Sequence, residues 1–358
     1  MKVCILGDGL TGLTLAKALV NQKIYVDLVS QRKKSPLNNN RTIGMSKSNI
    51  EYFNTNIINI KKISWNLKKI EIFSDKLKKE KLLNFENKNE FLFSIIKNNK
   101  LYEILNKSLK KNKFYKKIPP KENLNLLENY NLIFNTDYEN FITKKYFSKK
   151  ISKIYNNLAY TTIIKHNKIA NNVATQIFTK RGPLAFLPIS NFETSIVYSI
   201  NYSDGIKDIN INEIINLYNL KYKIQKIEKV NFFELKSFNL RSYQHKNILA
   251  FGDLLHRIHP LAGQGFNMSL RDIKLLSSLI DEKMALGLDL DLSICQEFEK
   301  KSQDKNYIFS TGIDWIYELF NLERRVNSEL LNKSINLIGN NKIVNTILKK
   351  FADNGIRI

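Results

Sequence analysis

The segment Gly7–Gly12, Gly-Asp-Gly-Leu-Thr-Gly, restricts the possible folds of this chain more than any other feature. An apolar run over residues 2–7 predicts a buried strand directly before it. Helical periodicity over Leu10–Val20 and a second apolar run over Ile24–Val29 follow it. A glycine turn between a strand and a helix, followed by another strand, predicts a βαβ unit with a parallel sheet.

Each glycine of this G-x-G-x-x-G pattern has a separate role in a dinucleotide site. Gly7 permits the tight turn, Gly9 lets the backbone approach a pyrophosphate, and Gly12 allows the helix to pack closely on the strand. The free N–H groups and the dipole of the helix N-terminus favour the negative charge of the phosphates. The pattern does not distinguish NAD from FAD, and a glycine-rich turn without a ligand is the alternative.

The end of the second strand lacks the acidic residue that usually binds the ribose hydroxyls about 20 residues after the glycines. Asp27 lies too early, within the strand, and Ser30 stands at its end. The Ser30 hydroxyl can bond to a ribose without charge. We therefore expect adenosine binding to be weaker by about 1 kcal/mol, because hydrogen bonds to charged groups are stronger.

A second glycine-containing block follows another predicted strand, Asn247–Phe251. Asp253 at the strand end offers a carboxylate to the polyol chain of a flavin. Gly263 and Gly265 leave room for a flat ring against the backbone. The predicted helix Gln264–Ile280 starts there, and its N-terminal N–H groups favour the negative charge of a reduced flavin.

Two histidines, His256 and His259, lie close to Asp253 and raise the alternative of a metal site. No third ligand follows at a usual spacing, so we interpret both as local hydrogen-bonding groups and expect no metal.

The run from His259 to Asn267, preceded by Gly252-Asp253, resembles the signature of class A FAD-dependent aromatic hydroxylases, and more narrowly that of the ubiquinone-biosynthesis hydroxylases. The stretch Ala174–Pro188 resembles a run that lies beside the flavin in the same family. Arg41 resembles the family arginine that contacts the flavin region. Together with the glycine turn, the resemblance implies that FAD is bound by Gly7, Gly9, Gly12, Ser30, Arg41, Asp253, Pro260, Gly263, Gln264, Gly265 and Asn267.

The resemblance implies an α/β fold like that of p-hydroxybenzoate hydroxylase. A Rossmann-like FAD-binding domain would carry an inserted β-sheet substrate domain and a C-terminal helical part. We expect the FAD-binding domain at 1–60, 98–145 and 236–281, the substrate domain at 61–97 and 146–235, and the helical region at 282–358.

The resemblance also implies a reaction. NAD(P)H reduces FAD, molecular oxygen adds to give a flavin hydroperoxide, and one oxygen atom is transferred to the aromatic ring of a polyprenylated phenol in ubiquinone biosynthesis. The cofactor carries this chemistry while the protein orients the ring and excludes water, so no side chain is assigned as catalytic.

One motif of that family is altered in this sequence. The family carries Asp-Gly after a central strand, near the path of the pyridine nucleotide, whereas this chain has Asp137 followed by Tyr138. Together with Ser30, this departure keeps two other functions open. One is a flavin-binding accessory protein of the quinone-synthesis assembly with little turnover, and the other is a flavin oxidoreductase acting on another lipid.

The net charge of +24 over 358 residues raises the question of nucleic acid, but the lysines are spread along the whole chain. We interpret them as solvated faces and expect no nucleic-acid partner, while an anionic membrane would attract them by about 1 kcal/mol per well-placed residue.

No signal peptide and no run of about 20 apolar residues is present. We expect a cytoplasmic location, with contact to the inner membrane or to a quinone-synthesis complex as the alternative. The apolar stripe over Ile335–Phe351 is expected to pack on its own domain, with a membrane or a partner as the alternative.

Overall fold

A computed structural model describes residues 1–30, 40–75, 81–87, 89–120, 129–201, 209–258, 263–326, 346, 349–353 and 355. His259, Pro260 and most of the stripe 335–351 lie outside these ranges, so the predictions that concern them remain predictions.

The described part of the chain contains strands of very different length. In chain order they are β1 (Lys2–Leu6), β2 (Tyr25–Val29), β3 (Thr42–Ser46), β4 (Trp65–Leu67), β5 (Lys69–Ser74), β6 (Lys81–Glu86), β7 (Phe93–Lys97), β8 (Tyr115–Ile118), β9 (Leu132–Asn135), β10 (Lys150–His166), β11 (Val173–Thr179), β12 (Gly182–Pro188), β13 (Glu193–Asn201), β14 (Ile224–Ile227), β15 (Asn231–Leu240), β16 (Gln244–His245), β17 (Ile248–Ala250) and β18 (His256–Arg257).

The α-helices within the described ranges separate these strands into groups. They are α1 (Leu10–Asn21), α2 (Lys47–Tyr52), α3 (Asn98–Lys110), α4 (Phe141–Tyr146), α5 (Ile211–Tyr218), α6 (Gln264–Ala285) and α7 (Leu292–Val326).

The first sheet has the strand order β16-β17-β9-β1-β2-β8, and all its pairs except β16–β17 are parallel. Its central strand β1 is apolar from Val3 to Leu6, as expected for a parallel strand covered on both faces. Helices α1, α3 and α6 contribute buried leucines to the same core. The carboxyl ends of β1, β2 and β9 therefore meet at one edge, where ligands bind in folds of this kind.

The second sheet has the strand order β18-β15-β10-β13-β12-β11-β5-β6, with β14 paired to β10. Most of its pairs are antiparallel, but β11 and β5 run parallel. A third sheet has the strand order β3-β7-β4. Its strands come after β2 and before β8 in the chain, together with β5 and β6 of the second sheet. Thr42 Oγ1 is 2.9 Å from Ser195 Oγ, which joins β3 to the second sheet.

Long strands occupy most of 150–240, as the sequence predicts, but the helix α5 interrupts them. Its signal was the helical spacing of Ile211, Ile214 and Ile215, of which Ile211 and Ile215 are buried. The division of the chain into domains stays a proposal. Of the predicted substrate segment 61–97, β5 and β6 join the second sheet, whereas β4 and β7 pair within the third.

Candidate functional site

The first glycine turn is shaped by backbone contacts that exclude side chains. Gly7 has φ +105°, and a Cβ placed there would lie 2.5 Å from Thr136 Oγ1. A Cβ at Gly12 would lie 2.1 Å from the carbonyl oxygen of Gly7. Both glycines are therefore needed for α1 to pack against the β1 turn, as the sequence pattern predicted.

Gly9 differs from these two glycines because it adjoins open space. It is the N-cap of α1, no side chain caps the helix, and no atom of the described residues lies within 4 Å of a Cβ built on it. The first N–H groups of α1 thus have no side-chain cap in the described part of the chain, and no acidic residue occupies the first turn. This arrangement fits an anionic pyrophosphate.

The glycine turn contains a buried carboxylate that the sequence analysis did not single out. The backbone N–H of Ser30 at the end of β2 donates to Ile118 O (3.1 Å). Asp8, in the glycine turn, is nearly buried, and its Oδ2 lies 2.7 Å from Lys117 Nζ on β8. Asp27 is engaged elsewhere, because it accepts a hydrogen bond from the Tyr130 hydroxyl at 2.6 Å.

Asn267 joins the start of α6 to β3 through its fully buried amide. Its Oδ1 accepts from the backbone N–H of Ser46 (3.0 Å) and from Asn49 Nδ2 (2.9 Å). Its Nδ2 donates to the carbonyl oxygens of Gly44 (3.1 Å) and Gly263 (3.3 Å). The amide therefore fixes the relative position of the two segments that would hold a flavin ring.

The start of α6 combines two glycines with a buried amide whose oxygen has no partner among the described residues. Gly263 has φ +63°, in the left-handed region, and a Cβ at Gly265 would meet nothing within 4 Å. Gln264 is 2% exposed, and its Oε1 has no hydrogen-bond partner in the described part of the chain. A buried polar atom without a partner is rare in folded proteins, and a bound group that donates a hydrogen bond would satisfy it.

The two glycine blocks meet at the turn before β18. Gly252 has φ +66°, and a Cβ there would lie 2.6 Å from Thr11 Cγ2 on α1. Asp253, the next residue, is exposed. Desolvation lowers the pKa of Arg41, and the neighbouring charge of Asp253 opposes this effect. Arg41 also lies with its guanidinium 4.8 Å from the centre of the Phe233 ring.

A cavity of about 460 Å³ adjoins these residues. Arg41, Gly44, Gly263 and Gln264 line one side of it. Another part of the lining is one face of the second sheet, which we call the floor. Its apolar members are Ile70, Ile72, Phe85, Ala174, Pro183, Ala185, Leu187, Val197 and Phe233.

A segment near the end of the chain lines the same cavity through Lys349, Lys350, Ala352 and Asp353. Asp353 Oδ1 accepts from the backbone N–H of Ser48 (2.9 Å), and its carbonyl oxygen accepts from Ser46 Oγ (3.1 Å). The sequence gives no signal for this contact, because the partners lie far apart along the chain.

Asp353→Ala is expected to lower the free energy of unfolding by about 1 kcal/mol, because the first turn of α2 loses its side-chain acceptor. Asp353→Asn keeps an acceptor oxygen and should lose less than half as much. Urea unfolding measures both. Equal losses in the two variants would contradict the role given to the carboxylate.

The other residues singled out from the sequence have local partners. His256 Nε2 lies 2.5 Å from Asp272 Oδ2, and both side chains are buried. Asp137 accepts from the backbone N–H of Glu139 (3.0 Å) before α4. Tyr138 is 43% exposed, and Lys150 Nζ donates to its hydroxyl at 2.8 Å.

The described residues thus form a site that fits FAD. Open space adjoins Gly9 and Gly265 at two helix N-termini, and an unpaired amide oxygen lies beside the second of them. The structure brings the predicted residues to one edge of the first sheet and to the cavity beside it, and Pro260 lies outside the described residues.

A family model described as FAD binding domain matches residues 199–285. In overall structure the chain is similar to p-nitrophenol 4-monooxygenase PnpA from Pseudomonas putida DLL-E4, with a TM-score of 0.77 and 11% identity over 99% of this chain and 98% of that one. It is equally similar to Klebsiella pneumoniae HpxO complexed with FAD and uric acid, with a TM-score of 0.77 and 11% identity over 99% and 97% of the two chains. The fold is that of FAD-dependent monooxygenases, and the predicted α/β fold class is confirmed.

The sequence is also similar to enzymes of ubiquinone biosynthesis. It is 26% identical over 261 residues to the ubiquinone biosynthesis monooxygenase COQ6, mitochondrial, of Dictyostelium discoideum, covering 58% of this chain and 53% of that protein. It is 27% identical over 156 residues to the 3-demethoxyubiquinol 3-hydroxylase of Escherichia coli, covering 40% and 39%. The chain thus spans about half the length of the curated relatives it matches or less. The resemblance to the ubiquinone-biosynthesis hydroxylases is confirmed.

Proposed function

We propose that this protein is an FAD-dependent monooxygenase that hydroxylates the aromatic ring of a polyprenylated phenol in ubiquinone biosynthesis. The observation that carries the proposal is the shared cavity. Its one side consists of the residues assigned to the flavin, including Gly263 and Gln264, and its other side is the apolar floor. A substrate on this floor lies directly against the cofactor.

Each part of the site has a role in holding the cofactor. The N-terminus of α1 at Gly9 would hold the pyrophosphate, Asp253 would accept hydrogen bonds from the polyol hydroxyls, and the backbone from Gly263 to Gly265 would hold the flavin ring. FAD, when bound, supplies the activation of oxygen. The apolar floor keeps water away from the reacting atoms.

The dimensions of the floor suit a substrate with a long apolar part. Seven neighbouring strands from β15 to β6 contribute residues to it, from Phe233 on β15 to Phe85 on β6. At roughly 4.8 Å between strands, this series extends over about 29 Å. A prenyl chain attached to a phenol ring has room to extend in this direction.

We propose NAD(P)H as the electron donor. The surface at Tyr138 carries two nearby cations that suit a pyrophosphate. Lys150 Nζ lies 5.0 Å from the centre of the Phe238 ring and 5.3 Å from that of Tyr138. The guanidinium carbon of Arg257 lies 6.0 Å from the centre of the same Phe238 ring.

Addition of NADPH to the purified, FAD-loaded protein without oxygen tests this assignment. The visible absorption of the oxidised flavin should disappear within seconds, since NADPH transfers a hydride to it. After admission of oxygen with a prenylated phenol, the product mass should rise by one oxygen atom. A flavin that binds but resists reduction would contradict the proposed activity.

Two features support the alternative of a flavin-binding accessory protein with little turnover. Tyr138 occupies the position of a family glycine, and Ser30 replaces an acidic residue. Slow reduction in the same experiment would favour this function. A flavin oxidoreductase acting on another lipid would instead give a product that gains hydrogen rather than oxygen.

The partners and the location remain proposals as well. We propose a prenylated phenol and molecular oxygen as reactants, and contact with a membrane or a quinone-synthesis complex as the alternative to an independent cytoplasmic enzyme. None of the helices in the described ranges combines the length and the apolar character needed to cross a membrane.

A further inference from the structure

The floor of the cavity contains one hydroxyl whose bonding is incomplete. Thr161 on β10 lines the cavity and is 5% exposed. Its Oγ1 is buried, and among the described residues it has no hydrogen-bond partner. Burying a hydroxyl without a partner costs free energy, so a valine of the same shape would be the better residue for packing alone.

The position of Thr161 places this hydroxyl at the end of the floor nearest to the flavin residues. Thr161 lies opposite Val197 on β13 and Asn231 on β15 in the strand register. Phe233, two residues after Asn231, contacts the guanidinium of Arg41. The polar group therefore belongs to the part of the cavity where the reacting ring would lie.

The cavity lining beside Thr161 is apolar on two sides. Val197 is its partner on β13, Phe233 is two residues along β15 from its partner Asn231, and both line the cavity. A hydrogen bond formed beside such residues is stronger than one in water. Threonine has three staggered rotamers about the Cα–Cβ bond. The proposed contact requires the rotamer that turns Oγ1 into the cavity.

We propose that Thr161 is a substrate-positioning residue that hydrogen-bonds the phenolic hydroxyl of the substrate. The proposal rests on the proposed function and specifies its substrate as a phenol with one free hydroxyl beside an apolar body. The bond fixes the rotation of the ring in the cavity and thereby selects the carbon that faces the flavin. Thr161 exchanges no proton with the reacting carbon.

The test compares two probes that differ by one oxygen atom, 2-prenylphenol and prenylbenzene. Calorimetric titration of each into the FAD-loaded protein gives its dissociation constant. Thr161→Val should raise the dissociation constant of 2-prenylphenol by about five- to tenfold and leave that of prenylbenzene unchanged. Thr161→Ser retains the hydroxyl and should restore the preference for the phenol to within about twofold of the wild type.

Thermal unfolding of the ligand-free protein provides the matched structural control. Since Oγ1 has no described partner, Thr161→Val should not lower the midpoint. If Thr161→Val does not fold, Thr161→Ala also removes the hydroxyl and serves for the same comparison of probes.

Two results would overturn the proposal. The first is that the variants without the hydroxyl still prefer the phenol to the same degree. The second is that both probes lose the same affinity, which would indicate that Thr161 acts through packing. Both are binding results and independent of turnover. A wild-type protein that prefers the phenol through Thr161 but forms no hydroxylated product would reject the monooxygenase proposal alone.

Discussion

Gly9→Ala is expected to weaken FAD binding by roughly thirty- to hundredfold while leaving the protein folded. A Cβ at this position meets no atom of the described residues within 4 Å, and the backbone is extended rather than left-handed. The added methyl group therefore causes no internal conflict. It projects into the space where the pyrophosphate would contact the first turn of α1, and it holds the phosphate away from the N–H groups.

Titration of the apoprotein with FAD, followed by flavin fluorescence, measures this effect, and urea unfolding of the apoprotein provides the structural control. The stability should fall by about 1 kcal/mol, because alanine is a poorer N-cap than glycine. Gly12→Ala is the matched contrast, since its Cβ would lie 2.1 Å from Gly7 O and must destabilise the turn itself. Unchanged FAD affinity in Gly9→Ala would show that the phosphate binds elsewhere.

Asn267→Ala is expected to destabilise the apoprotein by about 3–5 kcal/mol. The substitution leaves the N–H of Ser46 and the carbonyl oxygen of Gly44 without their buried partner. Each such group costs about 1–3 kcal/mol when it is buried and unpaired. Because β3 and α6 then lose their connection, FAD binding should fall together with stability.

Two variants separate the contributions to this effect. Asn267→Asp keeps the acceptor for Ser46 and Asn49 but loses the donor to Gly44 and Gly263. Asn49→Ala removes only one of the hydrogen-bond donors to Asn267. It should lower the free energy of unfolding by less than either substitution at position 267. Chemical unfolding of the three apoproteins tests this order. A loss below about 0.5 kcal/mol in Asn267→Ala would contradict the role of the amide.

The sequence predicted the features that depend on short stretches of chain. The βαβ start at β1, α1 and β2 follows from apolar periodicity, and Gly7 and Gly12 meet within their own turn. The second block was predictable for the same reason, since Gly263 is left-handed and immediately precedes α6. Local geometry alone determines the residue type at these positions.

Features formed by distant segments could not be predicted in this way. The ion pair of Asp8 with Lys117 requires β8 to lie beside β2. The unpaired Thr161 hydroxyl becomes visible only when strands from several parts of the chain share one face. In these cases the residue type is compatible with many environments, and the tertiary fold selects one of them.

The contact of Asp353 with Ser48 joins residues 305 positions apart, and this separation determines when the cavity can close during synthesis. Both glycine blocks and all floor strands leave the ribosome long before residues 349–353 are made. The nascent chain therefore has a cavity that is open on the side these residues later cover. This part of the cavity wall is therefore completed only after residues 349–353 have been made.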